Sequence, residues 1–129
     1  MAHILVIDDE ESIRSMLVII LQRAGHEVTV AENGKIGMNR FKAGGADLII
    51  TDLVMPEQEG VETIMQLRQQ HPDLPIIAMS GGGSRADTYL AICKRLGVRC
   101  TLAKPFTMEE LINAVNSVLG NEEPNLTAR

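Results

Sequence analysis

The chain is expected to fold as a single α/β domain, a doubly wound parallel sheet of five strands, and three observations predict this. Five short runs of β-branched and aliphatic residues alternate with five stretches whose apolar residues recur at helical spacing. Such runs are typical of strands buried on both faces, and parallel strands need right-handed helical crossovers that cover both sides of the sheet. The third observation is where the acids fall: Asp8, Asp9 and Asp52 each stand where an apolar run stops. In open α/β sheets the C-terminal strand ends are where sites are built, at the point where strand order reverses.

The elements follow in order. His3 to Ile7 is the first strand. Glu11 to Ala24 is a helix, with Ile13, Met16, Leu17, Ile20, Leu21 and Ala24 on one side and Gly25 to stop it. Glu27 to Ala31 is a short second strand, and Asn33-Gly34 turns into a helix running to about Ala43, which Gly44-Gly45 breaks. Asp47 to Thr51 is the third strand. Val61, Ile64, Leu67 and Arg68 mark a third helix that ends near His71-Pro72, and Pro75 to Met79 is a fourth buried strand. Beyond it lies the loop Gly81-Gly82-Gly83, from which Ser84 caps a helix reaching Leu96. Val98 to Leu102 is the fifth strand. Thr107 then caps a last helix whose Leu111, Val115, Val118 and Leu119 face inward, with Glu109 and Glu110 complementing its dipole. The strand order 2-1-3-4-5 sets strands one and three side by side, which gathers Asp8, Asp9 and Asp52 at the switch point.

Composition narrows the function. At 129 residues the chain is one domain, with no room for a second module. Aromatics are only 2%, so aliphatic side chains and methionine must fill the core. A net charge of −5 argues against direct binding to nucleic acid or to an anionic membrane, since both need a basic face. Cys93 and Cys100 form no metal or redox motif and read as buried thiols of a reducing compartment. The first strand begins almost at the N-terminus, leaving no signal peptide, and no apolar stretch is long enough to span a bilayer. A cytoplasmic protein is the expectation.

Gathered carboxylates repel one another, and a hard cation with oxygen ligands, Mg²⁺ above all, is the simplest way to neutralise them. Ser80 after the fourth strand and Lys104 after the fifth bring a hydroxyl and an ammonium to the same edge. Such a set is complementary to a phosphoryl group. The pattern Asp8-Asp9, Asp52 followed by Met55-Pro56, Ser80, and Lys104-Pro105-Phe106 resembles the receiver domain of two-component response regulators, from about Ala2 to Leu119. Each motif alone is weak, whereas the ordered set at this spacing is specific.

The resemblance implies a flavodoxin-like fold over residues 1–120, followed by a polar tail over 121–129. It implies that Asp52 accepts a phosphoryl group from a histidine kinase or a histidine phosphotransfer protein, becoming an aspartyl phosphate. It further implies that Asp9 and Asp52 hold Mg²⁺ directly, Asp8 through water, and that the Val54 carbonyl adds an oxygen. Lys104 and Ser80 would bind the remaining phosphoryl oxygens, and the Lys104-Pro105 bond would be cis. Phosphorylation-dependent contacts with a downstream protein would carry the signal, and Ser12, Ser15, Met16 and Ile19 on the first helix would meet the kinase.

Two positions depart from the family pattern. Thr101 stands where receivers usually carry Tyr or Phe, and the triple glycine after Ser80 is unusual. Signal transmission would then rest on Ser80 and its loop. Competing readings are a Mg²⁺-dependent phosphohydrolase, whose usual second acid is replaced by Val54, a phosphate sink without a target, and a flavin or nucleotide carrier, which scarce aromatics disfavour. Taken singly, Asp8 or Asp9 would be an ordinary cap or turn residue, and the glycine run lacks the Lys-Ser/Thr ending of a P-loop. His3, His26 and His71 have no metal-like spacing, and Asp47, Asp73 and Asp87 read as solvated.

Overall fold

Short apolar runs buried on both faces build the centre of the sheet. The computed structural model describes residues 1–53, 59–81 and 86–120, the side chains of 59 and 86–90 excepted. Among these residues the order is β1 (His3–Ile7), α1 (Glu11–Arg23), β2 (Glu27–Ala31), α2 (Gly34–Gly44), β3 (Leu48–Asp52), α3 (Glu59–Gln70), β4 (Ile76–Ser80), α4 (Ala86–Arg95), β5 (Cys100–Ala103) and α5 (Met108–Leu119). All four strand pairs are parallel and the order is β2-β1-β3-β4-β5, as the sequence predicts. The expected cap at Ser84 and the tail from 121 lie outside the described residues.

Period-two alternation splits the core in two. Ile4, Val6, Leu48, Ile50, Ile77 and Met79 point to one face, where α1 supplies Leu17 and Leu21 and α5 supplies Leu111, Val115 and Val118. Leu5, Ile7, Ile49, Ile76 and Ala78 point to the other, where Met38, Ile64, Leu67 and Cys93 close the layer. Cys100 packs against the first layer and Cys93 lies in the second, so the sheet separates the two thiols. Cys93 is fully enclosed and burial raises its pKa, but Cys100 is only partly buried because it opens an edge strand.

Helix ends follow their caps. The Asn33 side chain accepts the Ile36 N–H at 2.8 Å, and Thr107 and Glu110 form a reciprocal capping box at 3.0 and 2.8 Å. Gly25, at φ +95°, closes α1 in a conformation that costs other residues strain. At the ends of α3 and α4 the Arg68 guanidinium donates to the carbonyls of Leu74 at 2.6 Å, Leu96 at 2.7 Å and Gly97 at 2.9 Å. One cation thereby serves carbonyls beyond two helix C-termini.

Three strands differ in extent from the expectation. The Val98 N–H bonds to the Cys93 carbonyl at the end of α4, so β5 starts only at Cys100 and runs to Ala103. Asp47 precedes β3 and is not merely solvated: its carboxylate accepts the His3 N–H at 2.9 Å while its own N–H reaches the His3 carbonyl at 2.7 Å. Asp52 and Ser80 are the last residues of β3 and β4 and pair with Met79 and Ala103. Among the described residues no helix is long and apolar enough to cross a membrane.

His26 is structural and carries a pH dependence. Its Nδ1 accepts the Ala2 N–H at 3.1 Å in a buried setting, which requires the neutral ring, and burial holds its pKa below 6.5. The unfolded chain therefore binds this proton more readily than the folded one. The stability that the neutral ring contributes is complete above the unfolded value of about 6.5 and is lost as pH falls through the depressed folded value. Urea midpoints of the wild type are expected to drop more steeply from pH 7.5 to 5 than those of His26→Leu. Parallel slopes would contradict this assignment.

Candidate functional site

The site is assembled by register. Ile7 pairs with Thr51 across β1 and β3, so the next residues, Asp8 and Asp52, emerge side by side at the C-terminal edge. The Asp8 N–H extends the ladder to the Ala31 carbonyl at 3.1 Å, and the Leu53 N–H does the same to Met79 at 3.0 Å. Both acids are thus fixed by backbone on either side. Carboxylate atoms of Asp8, Asp9 and Asp52 lie within 4.8 Å of one another; Asp8 is 0% and Asp52 3% exposed, whereas Asp9 faces solvent.

Lys104, just past β5, is held by its N–H on the Ser80 carbonyl at 2.7 Å and reaches across two strands into this cluster. Its ammonium lies 2.9 Å from Asp8 Oδ2, 3.4 Å from Asp52 Oδ2 and 3.4 Å from Glu10 Oε1. Burial alone would lower its pKa, but the Asp8 hydrogen bond and the fields of Asp52 and Asp8 outweigh this and hold it above 10.5. The ammonium stays charged. Asp8 is engaged at both oxygens, since Oδ1 accepts the Glu10 N–H at 2.8 Å. Arg14 donates to the Asp8 carbonyl at 2.7 Å and adds a second cation beside the cluster.

Ser80 is buried at the end of β4, next to the Asp52–Met79 pair, and the Lys104-Pro105 bond is cis, as expected. Val54, with Met55-Pro56, lies outside the described residues, as do Gly82 and Gly83. Thr101 is exposed on β5 and pairs with Ala78. Sequence reasoning passed over three residues. Glu10 and Arg14 are reached only through the fold, although an acid directly after the Asp8-Asp9 pair was a visible signal. Gly60 is the third: a Cβ there would collide with the Asp52 carbonyl oxygen and stand 2.8 Å from Leu53 Cα, so α3 begins pressed against the strand end that carries Asp52.

Comparison with known proteins gives the family. The family-wide pattern of the response regulator receiver domain matches residues 4–116, nearly the whole described fold. The chain belongs to the response regulator receiver domains. Among its relatives, the DNA-binding transcriptional regulator NtrC of Azospirillum brasilense is 38% identical over 123 residues, covering 95% of this chain and 25% of that protein. Chemotaxis protein CheY4 of Vibrio cholerae is 32% identical with a TM-score of 0.84, covering 92% of this chain and 98% of that one. Response regulator protein TrrA of Thermotoga maritima, solved in complex with Mg²⁺ and BeF, is 32% identical with a TM-score of 0.79, covering 92% of this chain and 99% of that one. The chain spans a quarter to a half of the length of the sequence relatives it matches. For a receiver domain, phosphoryl acceptance is the standard function, and the acid cluster is where receivers bind Mg²⁺.

Proposed function

We propose that this receiver accepts a phosphoryl group on Asp52 from a histidine kinase or histidine phosphotransfer protein in the cytoplasm, and signals to a partner protein through the change. The observation that carries this is the Lys104 ammonium within 3.4 Å of a buried strand-end carboxylate that is itself clustered with two more. One Asp52 oxygen forms the new P–O bond while the P–N bond to the donor histidine breaks, its electron pair staying on the imidazole. Lys104 binds an oxygen of the transferring group, and Ser80, at the neighbouring strand end, is placed to bind another.

The donor set suits Mg²⁺, which prefers hard oxygens and keeps several waters. Asp9 and Asp52 would hold it directly, with the Val54 carbonyl; Asp8, with both oxygens already in hydrogen bonds, would act through water. When bound, the ion offsets charge that builds on the phosphoryl oxygens. Its presence in TrrA together with a phosphoryl mimic supports the same use here. Kinase docking on α1 is supported by exposure of Ser12, Ser15 and Ile19, the last of which is 52% exposed beside a groove lined by Arg14, Val18 and Val30. With Thr101 in place of an aromatic ring, transmission rests on Ser80 and the loop that follows it.

Treatment with a small acyl phosphate and Mg²⁺ is expected to add one phosphoryl mass to the intact protein, and none to Asp52→Asn. An adduct that persists in Asp52→Asn would move the acceptor elsewhere.

A further inference from the structure

The Lys104 ammonium has three N–H donors, and three carboxylates surround it: Asp8 at 2.9 Å, Asp52 at 3.4 Å and Glu10 at 3.4 Å. Its donors are already spoken for. A phosphoryl group on Asp52 places an oxygen within reach of the same ammonium, so one of the three contacts must give way. Asp8 is the costly one to break, because its side chain is fully buried and would be left as an uncompensated charge. The Asp52 contact passes to the new group. Glu10 is the remaining partner, and its side chain is 59% exposed, so water solvates it as it leaves. Its backbone N–H stays bonded to Asp8 whatever side chain it carries, and that side chain makes no cap to α1. The fold therefore does not need this carboxylate.

We propose that Glu10 is a positioning residue that occupies Lys104 in the unphosphorylated state and must release it when Asp52 takes up a phosphoryl group, and so limits how readily the group is accepted. This rests on Asp52 being the acceptor. The competition is electrostatic as well as geometric, since a phosphoryl donor is an anion approaching a cluster to which Glu10 adds one more negative charge. Once Lys104 has turned to the phosphoryl oxygen, Glu10 is already detached in both the phosphorylated state and the transition state for its loss. Uptake should be sensitive to Glu10 and hydrolysis should not.

The test compares full-length wild type, Glu10→Ala and Glu10→Gln at saturating Mg²⁺, by intact-mass time courses with acetyl phosphate and by calorimetric titration with beryllofluoride. Both variants are expected to take up the phosphoryl group faster by about 1.5-fold to fivefold at low salt, the range for one partly exposed ion pair. The gain should shrink in about 1 M salt, where screening acts over about 3 Å. Beryllofluoride affinity should rise in parallel, while the rate of adduct loss after donor removal stays at the wild-type value. Variants that take up the group no faster than wild type, or that lose it at a changed rate, would overturn the role given to Glu10. A wild type that forms no adduct at all would instead overturn the acceptor assignment, and this inference with it.

Discussion

Lys104→Met is expected to lower stability in the absence of divalent ions by about 3 kcal/mol, the lower end for removing one partner of a buried pair, and at the same time to raise affinity for Mg²⁺. Both effects follow from one arrangement. Asp8 is completely enclosed and Asp52 nearly so, and the ammonium between them, itself 15% exposed, is the cation that compensates them at 2.9 and 3.4 Å. Methionine keeps much of the aliphatic stem but none of the charge, so the buried carboxylates lose this compensation. A divalent cation then takes over more of their neutralisation. Metal binding to the folded state alone adds stability by mass action, so adding Mg²⁺ should close most of the deficit. Urea unfolding with and without Mg²⁺, together with calorimetric titration of the metal, checks both halves. If Mg²⁺ bound less tightly to Lys104→Met than to wild type, ammonium and metal would not be alternative neutralisers of the same acids.

The strands were legible because a buried parallel strand is written in consecutive apolar residues, and Leu48-Ile49-Ile50 or Ile76-Ile77 cannot be accommodated elsewhere. Strand ends were less so. Side-chain character records burial, whereas a strand stops where its N–H groups find other partners, and the Val98 N–H is taken by the Cys93 carbonyl, a fact with no local signature. Asp47 shows the same limit: nothing beside it in sequence reveals that it clasps His3, 44 positions away. The last helix was legible at its start because the capping box is a local chemical motif, Thr107 with Glu110 three residues on. Asp8, Asp9, Asp52 and Lys104 could be gathered in advance because each sits at a strand end and the strand order fixes which ends are neighbours. Glu10 and Arg14 could not, because their contacts depend on how α1 leaves the strand, and the Glu10–Lys104 pair spans 94 positions.

Gly60→Ala is expected to be the more damaging of the single-methyl changes, costing about 3 kcal/mol, the upper end for overpacking a core, and slowing phosphoryl uptake as well. Glycine is needed here for approach: the added Cβ would overlap the Asp52 carbonyl oxygen and stand 2.8 Å from Leu53 Cα and 3.0 Å from the Leu53 carbonyl. All three atoms belong to backbone. A side chain can rotate away from a methyl group, but this backbone is held by pairing of β3 with β1 and β4 and by the Leu53 N–H on Met79. Either α3 lifts from the sheet or the end of β3 shifts, and the second moves the Asp52 carboxylate relative to Lys104. Misplacing a reacting group by about 1 Å can cost on the order of 100-fold in rate, so uptake from acetyl phosphate should fall even in molecules that remain folded. Gly44→Ala provides the contrast, since a Cβ there meets nothing within 4 Å. That change is expected to be neutral or to stabilise by up to about 0.4–1 kcal/mol through the unfolded chain, and to leave uptake unaltered. Equal effects of the two alanines on the urea midpoint would mean that the contact between α3 and the end of β3 does not position Asp52.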